Sequence, residues 1–232
     1  MKTSLIITHR IFDDELMHLS SLSFDAAKKS HFPLEIIFVD NQSHPKYLDW
    51  LYGSPDVYIR NNYNAGNTHA WDQGIGASSG DIIILMDNDC VPQVEEWDKE
   101  MVTMLSDNKT GITFSYSIVG DELDKLDSGF DIHYRGRRDG FCFAFKKETY
   151  DKVGKFMCDQ PFKLGYYEDD HFEARVQYNL GLKLVAGPSS KVWHKGQGTT
   201  KKMWSQEVED GIEANKKWYE NKWDNKYPYL EH

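Results

Sequence analysis

The stretch RNNYNAGNTHAWDQGIGASSGDIIILMDNDCVP, residues 60–92, decides the fold. Its later part is an aliphatic run, Ile82 to Met86, entered through Gly80 and stopped by Asp87, Asn88 and Asp89, with Pro92 closing the turn. A short, wholly apolar run bounded by glycine and by acidic turn residues reads as a parallel strand buried on both faces. The residues before it, from about Ala65 to Ser78, read as a helix, so the stretch is the helix-to-strand half of a βαβ unit.

Working outward, the same alternation fills the N-terminal half. Ser4 to Thr8, Leu34 to Val39 and Val57 to Arg60 are further strands, and Asp81 to Met86 is the fourth. Between the first two, Asp13 and Asp14 suit a helix N-cap, and Leu16, Leu19, Phe24 and Ala27 supply an apolar stripe. Downstream, Val94, Trp97, Met101 and Leu105 predict a helix from Val94 to Leu105. Ile112 to Tyr116 and Phe141 to Lys146 read as strands separated by a polar loop, Gly120 to Gly140. Phe172, Val176 and Leu180 predict a helix from Glu168 to Leu180, with three acids at its positive end. Leu182 to Ala186 is another strand, followed by a Gly, Ser and Lys-rich loop around His194 and an aromatic, charged C-terminal helix. The expected class is α/β, a mostly parallel central sheet flanked by helices.

Composition narrows the function. The chain has 232 residues, 40% of them hydrophobic, enough for one substantial core. A net charge of -10 argues against long-range attraction to nucleic acid or anionic lipid. Cys90, Cys142 and Cys158 lack zinc-site spacing and read as ordinary thiols of a reducing, cytoplasmic setting. No apolar run approaches a membrane span and no leader precedes the first strand, so a soluble protein is expected. Leu230, Glu231 and His232 read as the beginning of an expression tag.

In open α/β sheets ligands bind beyond the carboxyl ends of the strands, so the residues that follow each strand should converge. These are Thr8, His9 and Arg10, then Asp40 and Asn41, then Arg60, Asn61 and Asn62, then Asp87, Asn88 and Asp89. Each alone is explained as well by turn chemistry. The acidic triplet says more. Asp87 and Asp89, two residues apart at a strand end, can hold a hard divalent cation while leaving part of its shell to phosphate oxygens.

Residues 60–92 resemble the signature stretch of family 2 glycosyltransferases of the GT-A fold, with its Asn-x-Gly, Ala-x-Asn-x-Gly and Asp-x-Asp elements in order. SLIITHR and LEIIFVDNQS are similar to that family's first two strands, CFAFKKETYDKVGKF to its strand, helix and Gly-x-Phe turn, YYEDDHFEAR to its base-bearing segment, and VWHKGQG to its late histidine loop. The resemblance covers roughly residues 1–200. It implies a nucleotide-binding half over about 1–92, an acceptor-binding half over about 93–200 and a helical extension over 201–232. It also implies that Asp40 holds the nucleobase, that Thr8, His9, Arg10, Asn41, Arg60, Asn64, Gly66, Asp72, Asp87 and Asn88 contact the donor nucleotide, and that Asp87, Asp89 and His194 hold Mn²⁺ or Mg²⁺. Asp169 would be the catalytic base, with Glu168 orienting it. Three positions depart from the family pattern: Asp72 stands for Asn, Tyr167 for Gly, and His171 for Asp.

The function implied is metal-dependent transfer of a sugar from a nucleoside diphosphate sugar, UDP first, to an acceptor hydroxyl with inversion. The acceptor expected is a carbohydrate, met by Arg135, Arg137, Arg138, Tyr167 and Asp170. Transfer to a hydroxymethylated base in DNA, a sugar nucleotidyltransferase and a non-catalytic nucleotide-sugar-binding protein are the alternatives. Glycine is missing between Thr8 and Asp14, which argues against the nucleotidyltransferase; the acids at 87, 89, 168 and 169 argue against the inactive form. The stripe Trp204, Val208 and Ile212, with Trp218, Tyr219 and Trp223 beyond it, is expected to pack on the sheet, with a sugar-stacking or homodimer surface as the alternative.

Overall fold

The computed structural model describes residues 2–119, 140–157, 159–195, 202 and 204–230. Among these, eight strands form one sheet in the order β3-β2-β1-β4-β7-β6-β8-β5. They are β1 Thr3–His9, β2 Leu34–Asn41, β3 Val57–Asn61, β4 Ile82–Asp87, β5 Cys90–Pro92, β6 Thr110–Val119, β7 Cys142–Lys146 and β8 Lys183–His194. The helices are α1 Asp14–Ala27, α2 Leu48–Gly53, α3 Gly66–Ala77, α4 Lys99–Met104, α5 Lys147–Val153, α6 Glu168–Ala174 and α7 Gln206–Trp223. The sheet is parallel from β3 to β4, antiparallel across β4-β7 and β7-β6, parallel for β6-β8 and antiparallel at β8-β5. Its first half is the βαβ alternation expected; its second half is mixed. No described helix is long and apolar enough to cross a membrane.

The central strands are buried on both faces because helices cover both. Leu5 and Ile7 of β1 point to a core with Leu16 and Phe24 of α1 and Met101 of α4, whereas Ile6 points to one with Ala70, Trp71 and Ile75 of α3 and Phe172 of α6. Asp13 caps α1 through its side chain, which accepts from Leu16 N at 2.9 Å. Asp72 has another structural partner set. Its carboxylate accepts from Tyr150 Oη at 2.8 Å and from the backbone N–H groups of Phe156 and Met157 at 2.9 and 2.8 Å, pinning α3 to the turn after α5.

Several element expectations change. The helix expected from Val94 starts only at Lys99, because Glu96 adopts φ 56° and the Asp98 carboxylate is taken by the N–H groups of His31 and Phe32. The apolar stripe survives, with Trp97, Met101 and Leu105 buried. The helix from Glu168 turns from α to π geometry over Arg175–Asn179, where Arg175 donates to the carbonyls of Val153 and Lys155. His194 lies on a strand end and not in a loop. Pro188, Ser189 and Ser190 form a bulge in β8, after which Lys191 resumes pairing with Tyr116, and Cys90–Pro92 pairs on the other edge. Pairing between distant segments decided this, and the local loop chemistry did not. Helix α2 had no counterpart in the sequence reading.

Two glycines of α3 test the packing. A Cβ on Gly74 would stand 2.5 Å from Ile6 Cγ2 in the core, whereas one on Gly76 would meet nothing within 4 Å. Gly76→Ala should raise stability by about 0.5–1 kcal/mol through helix propensity, and Gly74→Ala should lower it by about 1–3 kcal/mol through overpacking. Urea unfolding midpoints of the two variants against wild type check both signs.

Candidate active site

Parallel register sets the strand ends side by side. Thr8 lies opposite Asp87 on one side and Val39 on the other, His9 opposite Asp40, and Asp40 opposite Arg60. The order of strands reverses at β1, with β2 on one flank and β4 on the other, so a crevice opens at their carboxyl ends.

At the β1-β2-β3 corner, polar groups are tied mainly to one another. Asp40 is fully buried; its Oδ1 accepts from Ser43 N at 2.8 Å and its Oδ2 from Tyr58 Oη at 2.8 Å and from the Arg60 guanidinium, which also donates to Ser43 O. Arg60 is the partner open to solvent. His9 packs against Phe38 at 4.2 Å and Trp50 at 5.8 Å, and burial drives its imidazole down to about 3, so it is neutral. Arg10 reaches Asn41 O at 3.4 Å. Asn41 donates to Gly66 O and accepts from Asn61, while Asn64 Oδ1 accepts from Gly66 N at 3.2 Å. Gly66, at φ 77°, must be glycine: a Cβ there would lie 2.2 Å from Lys163 O.

The acids assemble at the β4 end. Asp89 Oδ1 is 3.2 Å from His194 Nε2, because Cys90 and His194 are register partners across β5 and β8. Asn88 is turned to α1, where its amide donates to Ser20 Oγ at 2.8 Å. Burial raises Asp87 to about 7, helped by the nearby Asp89 and Asp169 carboxylates and opposed by His194. Burial also raises Glu168 well above the usual carboxylate range, with Asp169, Asp87 and Asp170 adding to it. Residues from three distant segments, 87–89, 168–170 and 194, therefore share one electrostatic field. Glu168 Oε2 is buried with no hydrogen-bond partner among the described residues.

Asp89 and His194 have the spacing of ligands to a divalent cation, whereas Asp87 shares their electrostatic field but lies outside the group whose ligand atoms are within 4.8 Å of one another. An octahedral ion with bonds of about 2.1 Å sets adjacent ligands about 3 Å apart, close to the Asp89–His194 separation, and carboxylates with an imidazole suit Mn²⁺. Cys90 is an addition the sequence reading did not make. Its thiol belongs with Asp89 and His194 to a group whose ligand atoms lie within 4.8 Å of one another; its position directly after Asp89 was the available signal. Gly140 is another: a Cβ there would be 1.8 Å from Asp169 Oδ2, so only glycine lets β7 begin beside that carboxylate.

In the Lys-rich stretch that follows His194, Lys195 and Lys202 reach Glu15 and Asp13 at the start of α1, while residues 196–201 lie outside the described residues. Arg135, Arg137 and Arg138 also lie outside them. Tyr167 keeps a left-handed conformation at φ 68° where the resemblance places glycine.

The model of the family described as "Glycosyl transferase family 2" matches residues 22–168. No curated protein sequence matches the chain significantly. Among solved structures, the mannosyltransferase PcManGT from Pyrobaculum calidifontis, in complex with GDP-Man and Mn²⁺, aligns with TM-score 0.65 at 16% identity over 88% of this chain and 59% of that one. GalNAc-T7 with UDP, GalNAc and Mn²⁺ aligns with TM-score 0.63 at 18% identity over 84% and 44%, and S. aureus TarS residues 1–349 with 0.61 at 10% over 85% and 61%. The chain thus spans between 44% and 61% of the lengths of these structures. At such identities the likeness is one of fold.

The raised Asp87 gives a signed prediction. A carboxyl whose folded pKa lies above its unfolded value destabilises the fold progressively as pH rises from the unfolded value, about 3.9, and fully once pH exceeds the folded one. Without added metal at pH 8, Asp87→Asn should therefore be more stable than wild type by about 1–3 kcal/mol. The gain should fade as pH falls through about 7 towards 5. Thermal unfolding at both pH values checks it, and a less stable variant at pH 8 would contradict the assignment.

Proposed function

The chain belongs to glycosyl transferase family 2, and on that premise we propose that it moves a sugar from a nucleoside diphosphate sugar to an acceptor hydroxyl, with inversion at the anomeric carbon. The observation that carries the reading is the convergence of Asp87, Asp89 and His194 with Glu168 and Asp169 at the carboxyl edge of the sheet. Structures of similar fold that hold GDP-Man and Mn²⁺, or UDP and Mn²⁺, support the donor class.

Asp87, Asp89 and His194 would hold Mn²⁺ or Mg²⁺, which as a Lewis acid offsets the charge that develops on the departing diphosphate. Asp169 takes the proton of the acceptor hydroxyl as that oxygen forms its bond to the anomeric carbon. The carbon–oxygen bond to the diphosphate breaks on the opposite face. Glu168, whose carboxyl is raised by burial and by neighbouring like charges, would orient its neighbour. The nucleotide half, about 1–92, supplies Thr8, Asp40, Arg60, Asn64 and Gly66 to the donor, and the later half faces a glycan acceptor.

UDP is the first donor proposed, since Asp40 can accept from the uracil N3–H if the base displaces Arg60. Cytosine, whose N3 and O2 are acceptors, would instead meet the Arg60 guanidinium, whereas guanine could offer its N1–H and N2–H to the same carboxylate. Thermal unfolding with UDP, GDP, CDP and dTDP, with and without Mn²⁺, separates these. A cognate nucleotide at a hundredfold its Kd should add about 2.7 kcal/mol, only with metal present. Asp169→Asn should lose about a hundred to ten-thousandfold in transfer rate while keeping the nucleotide-dependent shift. Full turnover by that variant, or no shift with any nucleotide, would defeat the reading.

A further inference from the structure

Helix α7 does not pack on the sheet as its aromatic stripe suggests. It is keyed to the segment that leads into α6. Trp223 Nε1 donates to His171 Nδ1 at 2.9 Å, Trp218 meets the same imidazole at 4.9 Å, and Tyr219 lies 5.6 Å from Tyr167. Gly211 lets the helix close on Phe162, whose ring would lie 2.4 Å from a Cβ at that position. At the centre stands Asn215, entirely buried.

The Asn215 side chain is fully used. Its Oδ1 accepts from Phe162 N at 2.8 Å, and its Nδ2 lies 2.9 Å from Phe162 O and 3.0 Å from both Gly165 O and Tyr166 O. An amide nitrogen has two hydrogens, so three carbonyls share them. Gly165 has φ 151°, which glycine adopts freely, whereas the clamped Tyr166 at φ 69° and the adjoining Tyr167 at φ 68° are strained. Left-handed geometry costs a non-glycine residue about 1–2 kcal/mol, and such geometry persists only where surrounding bonds over-determine it. The opposite side of the segment is held by α3, where Asn67 N donates to Leu164 O and Thr68 Oγ1 to Lys163 O. The clamped backbone runs beside the acids: a Cβ on Gly165 would stand at ordinary contact distance, 3.4 Å, from Glu168 Oε1.

We propose that Asn215 is a positioning residue for the transfer reaction: from the interior of α7 it holds the backbone of residues 162–166 in the left-handed turn that delivers Glu168 and Asp169 to the Asp87 side of the crevice. This rests on the transferase reading above. Removing the amide frees Tyr166 and Tyr167 to relax toward right-handed geometry, which rotates the start of α6 and displaces both carboxylates. Asp40, Arg60 and the proposed metal ligands lie on or beside β2 to β5 and β8, and the Lys163–Leu164 end of the segment stays tied to Asn67 and Thr68 of α3, so the nucleotide side keeps its geometry.

The test compares wild type, Asn215→Asp, Asn215→Ser and Lys222→Ala. The first substitution sets a carboxylate against three carbonyls, the second keeps at most one of their hydrogen bonds, and the third cuts the separate tether from α7 to Asp159. Both Asn215 variants should lose 10- to 100-fold in kcat with the sugar nucleotide and acceptor that wild type turns over. Their nucleotide Kd and Mn²⁺ requirement should stay within twofold of wild type, and Lys222→Ala should keep wild-type kcat. Asn215→Ser serves if Asn215→Asp does not fold. An unchanged kcat, or a kcat that falls only together with nucleotide affinity, would overturn the positioning role. A wild-type protein that processes no sugar nucleotide would instead overturn the transferase reading on which the role rests.

Discussion

Four carboxyl groups with a claim on one small volume are the constraint around which this chain is organised. Asp87 and Glu168 are displaced upward, Asp87 to about 7 and Glu168 beyond the ordinary carboxylate range, first because burial removes them from water and then because neighbouring carboxylates, Asp89 and Asp169 among them, repel them. A fold holds such a cluster only if the backbone around it has no easy way to relax. Strand β4 is buried between β1 and β7, and Asp87 N donates to Phe141 O at 2.8 Å, which locks the acidic turn to the neighbouring strand. A divalent cation bound beside Asp87 would offset this cost, as the proposed function requires.

Glycine and left-handed backbone accomplish the close approaches. Gly140 lets β7 begin against Asp169, Gly66 lets α3 start beneath Lys163 and Leu164, and Gly165 lets the chain pass Glu168. Tyr166 and Tyr167 take the same left-handed region without glycine's freedom. Their strain is sustained by α7, so a helix remote from the donor corner in sequence and in the sheet order bears on the geometry of the proposed base.

Part of the site was legible from residue types at strand ends. The positions after β1 to β4 do meet at one edge, because parallel register leaves no alternative once the strands are assigned. What those residues do there was less legible. Asp40 has an arginine, a tyrosine and a backbone amide already on its oxygens, Asn88 turns to Ser20, and Asp72 pins the Phe156 turn. Each is a choice among hydrogen-bond partners distant in sequence, and no local pattern encodes such a choice. His9 is similar: a polar residue at a strand end becomes a neutral core ring once Phe38 and Trp50 close on it.

By itself, the sequence determined the α/β alternation, the central buried strands, a helix cap at Asp13 or Asp14 and the acidic turn at Asp87–Asp89, because each follows from periodicity or turn chemistry within a few residues. Tertiary structure alone decided the mixed pairing of the second half of the sheet, the place of His194 on a strand end beside Cys90, and the delay of α4 to Lys99. It also decided that the aromatic C-terminal helix serves residues 159–171 and not the sheet. The physical reason is common to all of these: they depend on which distant backbone offers a hydrogen bond or a cavity, and that is set only when the chain has closed on itself.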